Sequence, residues 1–553
     1  MVTKAPLGTA HLLSSDLRTY LTSDVTVKSL LETRAREDAE HVVLRHNDTD
    51  LTYAQLNRAV NRLANGLLDL GVKPGDRVAV MLDHHIDHII TFFALTKLGL
   101  VLVPVNVHLS GGPLTYLLRH SEPRCVIAET NYMSRLTDAW LDQADDSLPL
   151  CATALTFVAR GDLAQWQRDI GQHDRLAAAN IRLESFELAR TFDCDDSPKA
   201  QPKPNDTLAI CYTSGTTGAP KGAFITDKMF RASAVSSVIL SGIDDDDVLL
   251  FWEPIYHLFG IEVLVLVTMK RVTLGMVDRF SASKFWDQAR QFGATHIHYV
   301  GGVPQLLMKQ PERDNDRDNP VRIAWGGGCP IDLWRSFEQR FGLQMRDSFG
   351  MTETSSLNIV NIEGEPGALG RPLPYYKARI IDEQGTDVTI GQTGQLILQS
   401  LEPGLITPGY FKNDEATAAA KEGGWFHTGD LVRQDERGIY FFVGRKKDSI
   451  RRRGENISAW EVERIISSHP EIEESAVIAV PNDFGDEEIK AFVKPHGQPF
   501  DPERFIQWCE GKMARFQIPR FIEIVEGFPK TPTQRIMKHK LSRSTTDCWD
   551  RGE

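Results

Sequence analysis

Apolar residues return at helical spacing from Tyr53 to Leu68, and Arg77–Leu82 reads as a short apolar strand, with Gly71, Pro74 and Gly75 punctuating the two. The alternation recurs at His88–Leu98, Val101–Pro104 and Cys125–Ala128. Helical patterns between short apolar runs predict α/β units, in which helices cover a parallel sheet. Beyond Gly394 the rhythm turns β-rich, with Gln395–Leu398 and Gly438–Val443 separated by Gly, Pro and Asn turns. After Asp448 it changes again. A helix over Trp460–Ser468, strands over Ser475–Val480 and Ile489–Val493, and a helix over Pro502–Met513 are expected there. The fold class read from this order is α/β. It comprises a large N-terminal body of several subdomains, residues 1–447, with parallel-rich sheets and a small β-rich part, followed by a compact α+β domain, residues 448–553. Asp244–Asp247 and Pro311–Pro320 are polar enough to be solvated loops.

A chain of 553 residues can bury ample core without disulfide or metal staples. Its seven cysteines are scattered with no Cys-x-x-Cys pair, which argues against a disulfide framework or a zinc site and for a reducing, cytoplasmic setting. No run approaches the ~18 apolar residues of a membrane span, so membrane insertion is not expected. A formal net charge of -13 argues against general affinity for nucleic acid, and any anionic ligand must meet locally basic loops.

One loop stands out from this background. Thr213, Ser214, Gly215, Thr216, Thr217, Gly218, Ala219, Pro220, Lys221 and Gly222 concentrate hydroxyls, glycines and one cation directly after the apolar lead-in Leu208–Tyr212. Glycines let backbone N–H groups face oxygen atoms, hydroxyls donate and the lysine adds charge, which is what a polyphosphate requires. The order is not that of a Walker A loop, because Pro220 precedes Lys221 and Gly222 follows it. Three more runs follow: Asp347-Ser348-Phe349-Gly350-Met351-Thr352-Glu353, Gly424-Trp425-Phe426-His427-Thr428-Gly429-Asp430, and Gly444-Arg445-Lys446-Lys447-Asp448. Together the four resemble the adenylate-forming superfamily of acyl-CoA ligases, nonribosomal peptide adenylation domains and firefly luciferases. Weaker similarity extends from Leu51 to about Lys540. The wording Arg451-Arg452-Arg453-Gly454-Glu455-Asn456-Ile457-Ser458 is similar to carnitine-CoA-ligase-like members of the acyl-CoA ligase branch.

The resemblance implies a site. Thr217, Lys221 and Thr352 would contact phosphate, and Glu353 would hold Mg²⁺, as a carboxylate beside a hydroxyl near phosphates can. Phe349 would stack on adenine, Asp347 would accept from its amino group beside Ser348, and Gly326 and Gly327 would approach the nucleotide at a strand end. Asp430 would bind the ribose hydroxyls with help from Arg445. An acid pocket would draw on Tyr256, His257, Phe259, Tyr299, Gly301, Gly302, Gly328, Cys329, Met351 and Thr354; its apolar character hints at a bulky hydrophobic carboxylate. Lys447 and Asp448 would be the hinge of a rotating lid, Gly454 would line a CoA tunnel, and Arg451, Arg452, Arg453 and Glu455 would flank the CoA phosphates.

In one respect the chain departs from its relatives. Where most members carry Pro-Lys-Thr-x-x-Gly-Lys, it reads Pro529-Lys530-Thr531-Pro532-Thr533-Gln534-Arg535. A guanidinium is a planar fork rather than a compact ammonium, and Gln534 forbids what a glycine permits. Losing one well-placed electrostatic stabiliser costs roughly a hundred- to a thousandfold in rate. The expected activity is therefore thioester formation between CoA and a carboxylic acid through an acyl-adenylate, with ATP, CoA and Mg²⁺ as the implied cofactors and adenylation impaired. Such an enzyme would take its acyl-adenylate from a separate adenylating enzyme. Three alternatives stay open: a complete ATP-dependent ligase in which Arg535, Lys538 or Lys540 suffices, a carrier-protein loading enzyme, and a non-catalytic nucleotide-binding relic.

Overall fold

Two large sheets flank a layer of buried helices in the N-terminal body. The computed structural model describes residues 9–141, 155–170, 176–177, 179–213, 220–452, 455–481, 487–497, 500–510, 512–530 and 536–552. The seven-stranded sheet runs Ile181–Ser185, Leu155–Arg160, Cys125–Glu129, Arg77–Met81, Val101–Pro104, Thr207–Thr213, Lys221–Thr226, parallel except for the last pair. The nine-stranded sheet is ordered Arg371–Pro372, Ser356–Asn361, Gln344–Met351, Ile323–Gly327, His296–Val300, Val248–Phe251, Thr273–Met276, Val42–His46, Thr49–Thr52. It is parallel in its centre and antiparallel at both ends.

The helices Ile86–Leu98, Asp227–Ser241 and Leu258–Met269 are buried along almost their whole length. Helix Asp227–Ser241 touches strands of both sheets, which is why it cannot present one polar face to water. Polar groups carried into this layer are paired: Arg231 Nε meets Asp227 at 2.8 Å, and Lys97 Nζ meets Glu32 at 3.1 Å and Asn57 at 2.6 Å.

The α/β reading holds, with boundaries shifted by one to three residues; the helix expected at His88 begins at Ile86, capped by His85. The β-rich part starts earlier than Gly394, because Tyr376–Ile381 already forms an antiparallel sheet with Thr393–Ser400, Phe426–Gln434 and Tyr440–Arg445. The two loops taken as solvated each hold one buried carboxylate. Asp247 receives Thr295 Oγ1 at 3.0 Å, and Asp316 is paired with Arg340 at 2.7 Å.

From Ser449 onward the chain has a hydrophobic core of its own, built on Ile450, Val462, Ile466, Val477, Phe492 and Phe505. A hairpin, Ser449–Arg452 with Glu455–Ser458, leads into helix Ala459–Ser467 and a sheet ordered Ile472–Pro481, Glu487–Pro495, Phe521–Ile524, Trp549–Asp550. The last strand is held by Arg520–Asp550 at 3.1 Å, and the buried Lys490 bonds Ser542 O at 3.0 Å beneath the terminal segment. This unit meets the body where Trp460 packs edge-on against Phe442 at 5.3 Å. No described helix is long and apolar enough to cross a membrane.

Candidate active site

Strands Thr207–Thr213 and Lys221–Thr226 pair antiparallel, so Thr213 and Lys221 face each other across the ends of the loop between them. Ser214, Gly215, Thr216, Thr217 and Gly218 lie outside the described residues. Across the gap between the sheets stands the short turn Thr352–Thr354, whose Glu353 is buried. Thr213 Oγ1 lies 3.3 Å and the Tyr410 hydroxyl 3.0 Å from Glu353 Oε1, and Lys221 Nζ sits 5.2 Å from the centre of the Tyr410 ring. Thr213 and Lys221 of one sequence run and Glu353 of another thus converge. Tyr410 was missed; a lone Tyr after Pro408-Gly409 carries no signal in the sequence.

Asp347 and Phe349 stand two places apart in strand Gln344–Met351, with no bulge between them, so the strand's alternation puts both on one face. The Asp347 carboxylate accepts from the N–H groups of Gly328 (3.1 Å), Cys329 (3.0 Å) and Ser348 (2.6 Å), and the Tyr299 hydroxyl lies 3.2 Å away. Burial pushes its pKa up to about 6 against these donors. Its acceptor sites serve the Gly326–Cys329 turn, so a direct contact with an adenine amino group is the weaker use of this residue. Gly326 is required by the sheet itself, since a Cβ there would lie 1.9 Å from Tyr299 O. Ser348 donates to Gly326 O at 2.7 Å, and Gly327 faces the Ser348 backbone. Phe349 packs against the cluster of Ile359, Leu396 and Val432. Asp430 and Arg445 are directly opposed across paired strands at 3.1 Å, the carboxylate buried and the guanidinium half-exposed. The ammonium of Lys447 is pushed below its ordinary value by partial desolvation first, then by Arg445 and Lys221, with Asp448 and Asp430 opposing.

On the acid side, Tyr256, His257 and Phe259 are half-buried at the start of helix Leu258–Met269, where His257 occupies the N-cap. The Phe259 ring lies 4.2 Å from His298, which in turn stacks on Trp325 at 4.2 Å. Burial pushes His298 down to about 3, so the ring is neutral. Neither His298 nor Trp325 was expected here. Side chains alternate along a strand, so His298 and its neighbour Tyr299 face opposite sides of the sheet. Tyr299 and Cys329 belong to the core on the opposite side of the sheet, away from Phe259, and the Thr354 backbone and hydroxyl are committed to Asn358 and Tyr376. Gly301 and Gly328 have φ of +48° and +89°, so these glycines answer to backbone conformation. Gly302 caps helix Val303–Met308, and Met351 is half-buried at the end of its strand.

The basic run separates into unlike residues. Arg452 is buried: it pairs with Glu488 at 2.6 Å and donates to Phe516 O at 2.8 Å and Ile518 O at 3.1 Å. This corrects its assignment to CoA, because a guanidinium consumed by a buried carboxylate and two carbonyls has no face left for a phosphate. Arg451 pairs through its backbone with Asn456, and Arg452 likewise with Glu455; Arg453, Gly454 and Arg535 lie outside the described residues. The flanks of the 531–535 segment, Lys530 and Ile536, pair antiparallel, and Lys538 is held by Glu463 at 2.7 Å with Asp448 at 4.0 Å.

Comparison with known proteins bears on this convergence of Thr213 and Lys221 with the buried Glu353. The AMP-binding enzyme family matches residues 31–411, and the AMP-binding enzyme C-terminal domain matches residues 461–535. The chain belongs to the AMP-binding enzyme family. A crotonobetaine/carnitine–CoA ligase of Salmonella choleraesuis is 32% identical over 504 residues, covering 89% of this chain and 92% of the relative, so this AMP-binding enzyme falls in the acyl-CoA ligase branch. The o-succinylbenzoate CoA synthetase of Bacillus subtilis, solved with its acyl-adenylate intermediate, superposes with a TM-score of 0.78 at 23% identity over 94% of this chain and 98% of its own. An anthranilate CoA ligase solved with anthranoyl-AMP gives 0.80 at 24% identity over 94% and 96%. These two share the fold.

Proposed function

We propose that this AMP-binding enzyme forms an acyl-CoA thioester by attack of the CoA thiol on an acyl-adenylate, and that its own adenylation half-reaction is impaired. One observation carries the reading: the nucleotide-side residues converge, while the segment that should bring a lysine to them carries Gln534-Arg535 instead. Lys538 does not offer an easy replacement, since Glu463 holds it and the Lys530–Ile536 pairing fixes the register of the terminal segment. In the thioester step the CoA sulfur adds to the acyl carbonyl carbon, the anhydride C–O bond breaks and AMP leaves. Lys221, with Thr217 and Thr352, would stabilise the charge that develops on the departing phosphate. Asp430 and Arg445 would fix the ribose, and Phe349 with the Gly326–Gly327 backbone would bound the adenine, Asp347 acting by holding that turn.

Glu353 fits Mg²⁺ as a single carboxylate supplement to substrate phosphates, for no cluster of three or more metal-ligating side chains exists among the described residues. When bound, the ion would neutralise phosphate charge. The half-buried Phe259 ring over His298 and Trp325, with Tyr256 against His257 at the same helix start, favours an apolar or planar acyl group. CoA would enter along Gly454, with Arg451 and Arg453 toward its phosphates and Glu455 at the edge. Residues 448–553 would turn about Lys447–Asp448 between half-reactions.

A second reading, a complete ligase, is favoured by the identity to crotonobetaine/carnitine–CoA ligases. The deciding experiment follows AMP and acyl-CoA from a panel of acids with ATP and CoA, and separately from presynthesised acyl-adenylates with CoA. Turnover from the adenylates alone supports the proposal; equal turnover from the free acids returns the protein to the complete ligases. No AMP release from any adenylate would sink both.

A further inference from the structure

Segment Thr407–Phe411 is a clip between the two halves of the nucleotide site. Its backbone runs along the strand that begins with Lys221: Phe224 N–H donates to Gly409 O at 3.1 Å and Phe411 N–H to Gly222 O at 2.7 Å. At its other end Thr407 N–H donates to Glu353 O at 2.7 Å, and the Thr407 hydroxyl reaches Phe224 O at 2.7 Å. Tyr410 sits in the middle, buried, its own N–H held by Thr417 Oγ1 at 2.9 Å. From there one side chain touches both sides of the site. Its hydroxyl donates to Glu353 Oε1, and the face of its ring lies under the Lys221 ammonium.

The consequences for the two partners differ. Glu353 Oε1 receives two hydroxyl donors, Tyr410 and Thr213, while Oε2 has no partner among the described residues. A carboxylate fixed on one oxygen turns the other in a single direction, as ligating carboxylates are turned by their outer hydrogen bonds. Lys221 is on a flexible four-carbon stem, and an aromatic face beneath it narrows where its charge can sit.

We infer that Tyr410 is a positioning residue that holds the Glu353 carboxylate and the Lys221 ammonium in one arrangement, so that metal and phosphate are bound together. This rests on the nucleotide reading of the site given above. The test is a double-mutant cycle with Y410F and E353Q, following Mg²⁺-dependent ATP binding by calorimetry and Mn²⁺ binding by electron paramagnetic resonance. Y410F keeps the ring and removes only the hydroxyl. It is expected to raise the metal concentration for half-maximal ATP binding roughly tenfold, while metal-free AMP affinity stays within about twofold. In the E353Q background the same change should add nothing further to the metal dependence. Y410L, which also removes the ring, should in addition weaken metal-free AMP binding severalfold. An unchanged metal dependence in Y410F, or effects of Y410F and E353Q that simply add, overturns the inference. A wild-type protein that binds neither ATP nor AMP would instead overturn the nucleotide reading, and this inference with it.

Discussion

Replacing Arg452 by Ala separates a packing role from a ligand role. Arg452 and Glu488 are both buried, and their 2.6 Å contact is the only described ion pair of Glu488. Removing the guanidinium leaves that carboxylate without its counter-charge, at a cost of about 3–5 kcal/mol. The Phe516 and Ile518 carbonyls lose their donor as well, adding about 1 kcal/mol each. For a unit of roughly one hundred residues, a loss of about 5 kcal/mol lowers the midpoint of unfolding by about 20 °C. R452A should therefore show an early lid transition in thermal melts and rapid proteolysis after residue 448. Substituting both partners, Arg452→Met with Glu488→Leu, should recover most of the stability, because no unpaired charge then remains. In that double variant the KM for CoA in AMP release from an acyl-adenylate should stay within about threefold of wild type. A tenfold rise in the KM for CoA in a variant whose lid is as stable as wild type would refute this reasoning and return Arg452 to the CoA phosphates.

Changing Gln534-Arg535 to Gly-Lys should raise acid-dependent pyrophosphate release by roughly a hundred- to a thousandfold, with thioester formation from the adenylate unchanged. Gly350→Ala should abolish soluble folding, because the new Cβ would lie 1.6 Å from Ser356 O at a β-bulge; soluble protein with wild-type melting would contradict the geometry. Glu253 is buried with Oε1 unpartnered among the described residues, and burial pushes its carboxyl up to about 8. A raised folded pKa means the folded state binds the proton more tightly, so this group's stabilisation is present below about 4.5 and lost as pH rises toward 8. Denaturant melts should accordingly show E253Q gaining on wild type by up to about 1.4 kcal/mol per pH unit across that window, and a flat difference would contradict it.

Much of this was legible in the sequence because it is written in local runs. Val101–Pro104 is bounded by its own apolar residues, and Thr213, Lys221 and Glu353 belong to compact motifs with characteristic composition. What was not legible depends on contacts between distant segments. Tyr410 matters through Glu353 and Lys221, which no spacing rule connects to it. Arg452 looks like its neighbour Arg451 in a row of three, and only the position of Glu488 across the lid turns it inward. His298 and Tyr299 differ by one place in a strand, and the choice between them is a choice of face that a mixed apolar run does not encode. The early start of the β-rich sheet was hidden by Lys377 and Arg379, which alternate outward along a strand that faces solvent on one side.

The terminal strand Trp549–Asp550 does more than finish the chain. It pairs with Phe521 and Ile522 and so covers the outer edge of strand Phe521–Ile524 where that strand begins. Protein ending near Lys540 would keep every proposed catalytic residue and yet offer that edge to a second molecule, the geometry by which sheets from separate chains join. Removal of a dozen residues remote from the chemistry would thus be felt first as loss of solubility on concentration, and expression designs that trim or crowd this end disturb the colloidal behaviour of the protein before they disturb its catalysis.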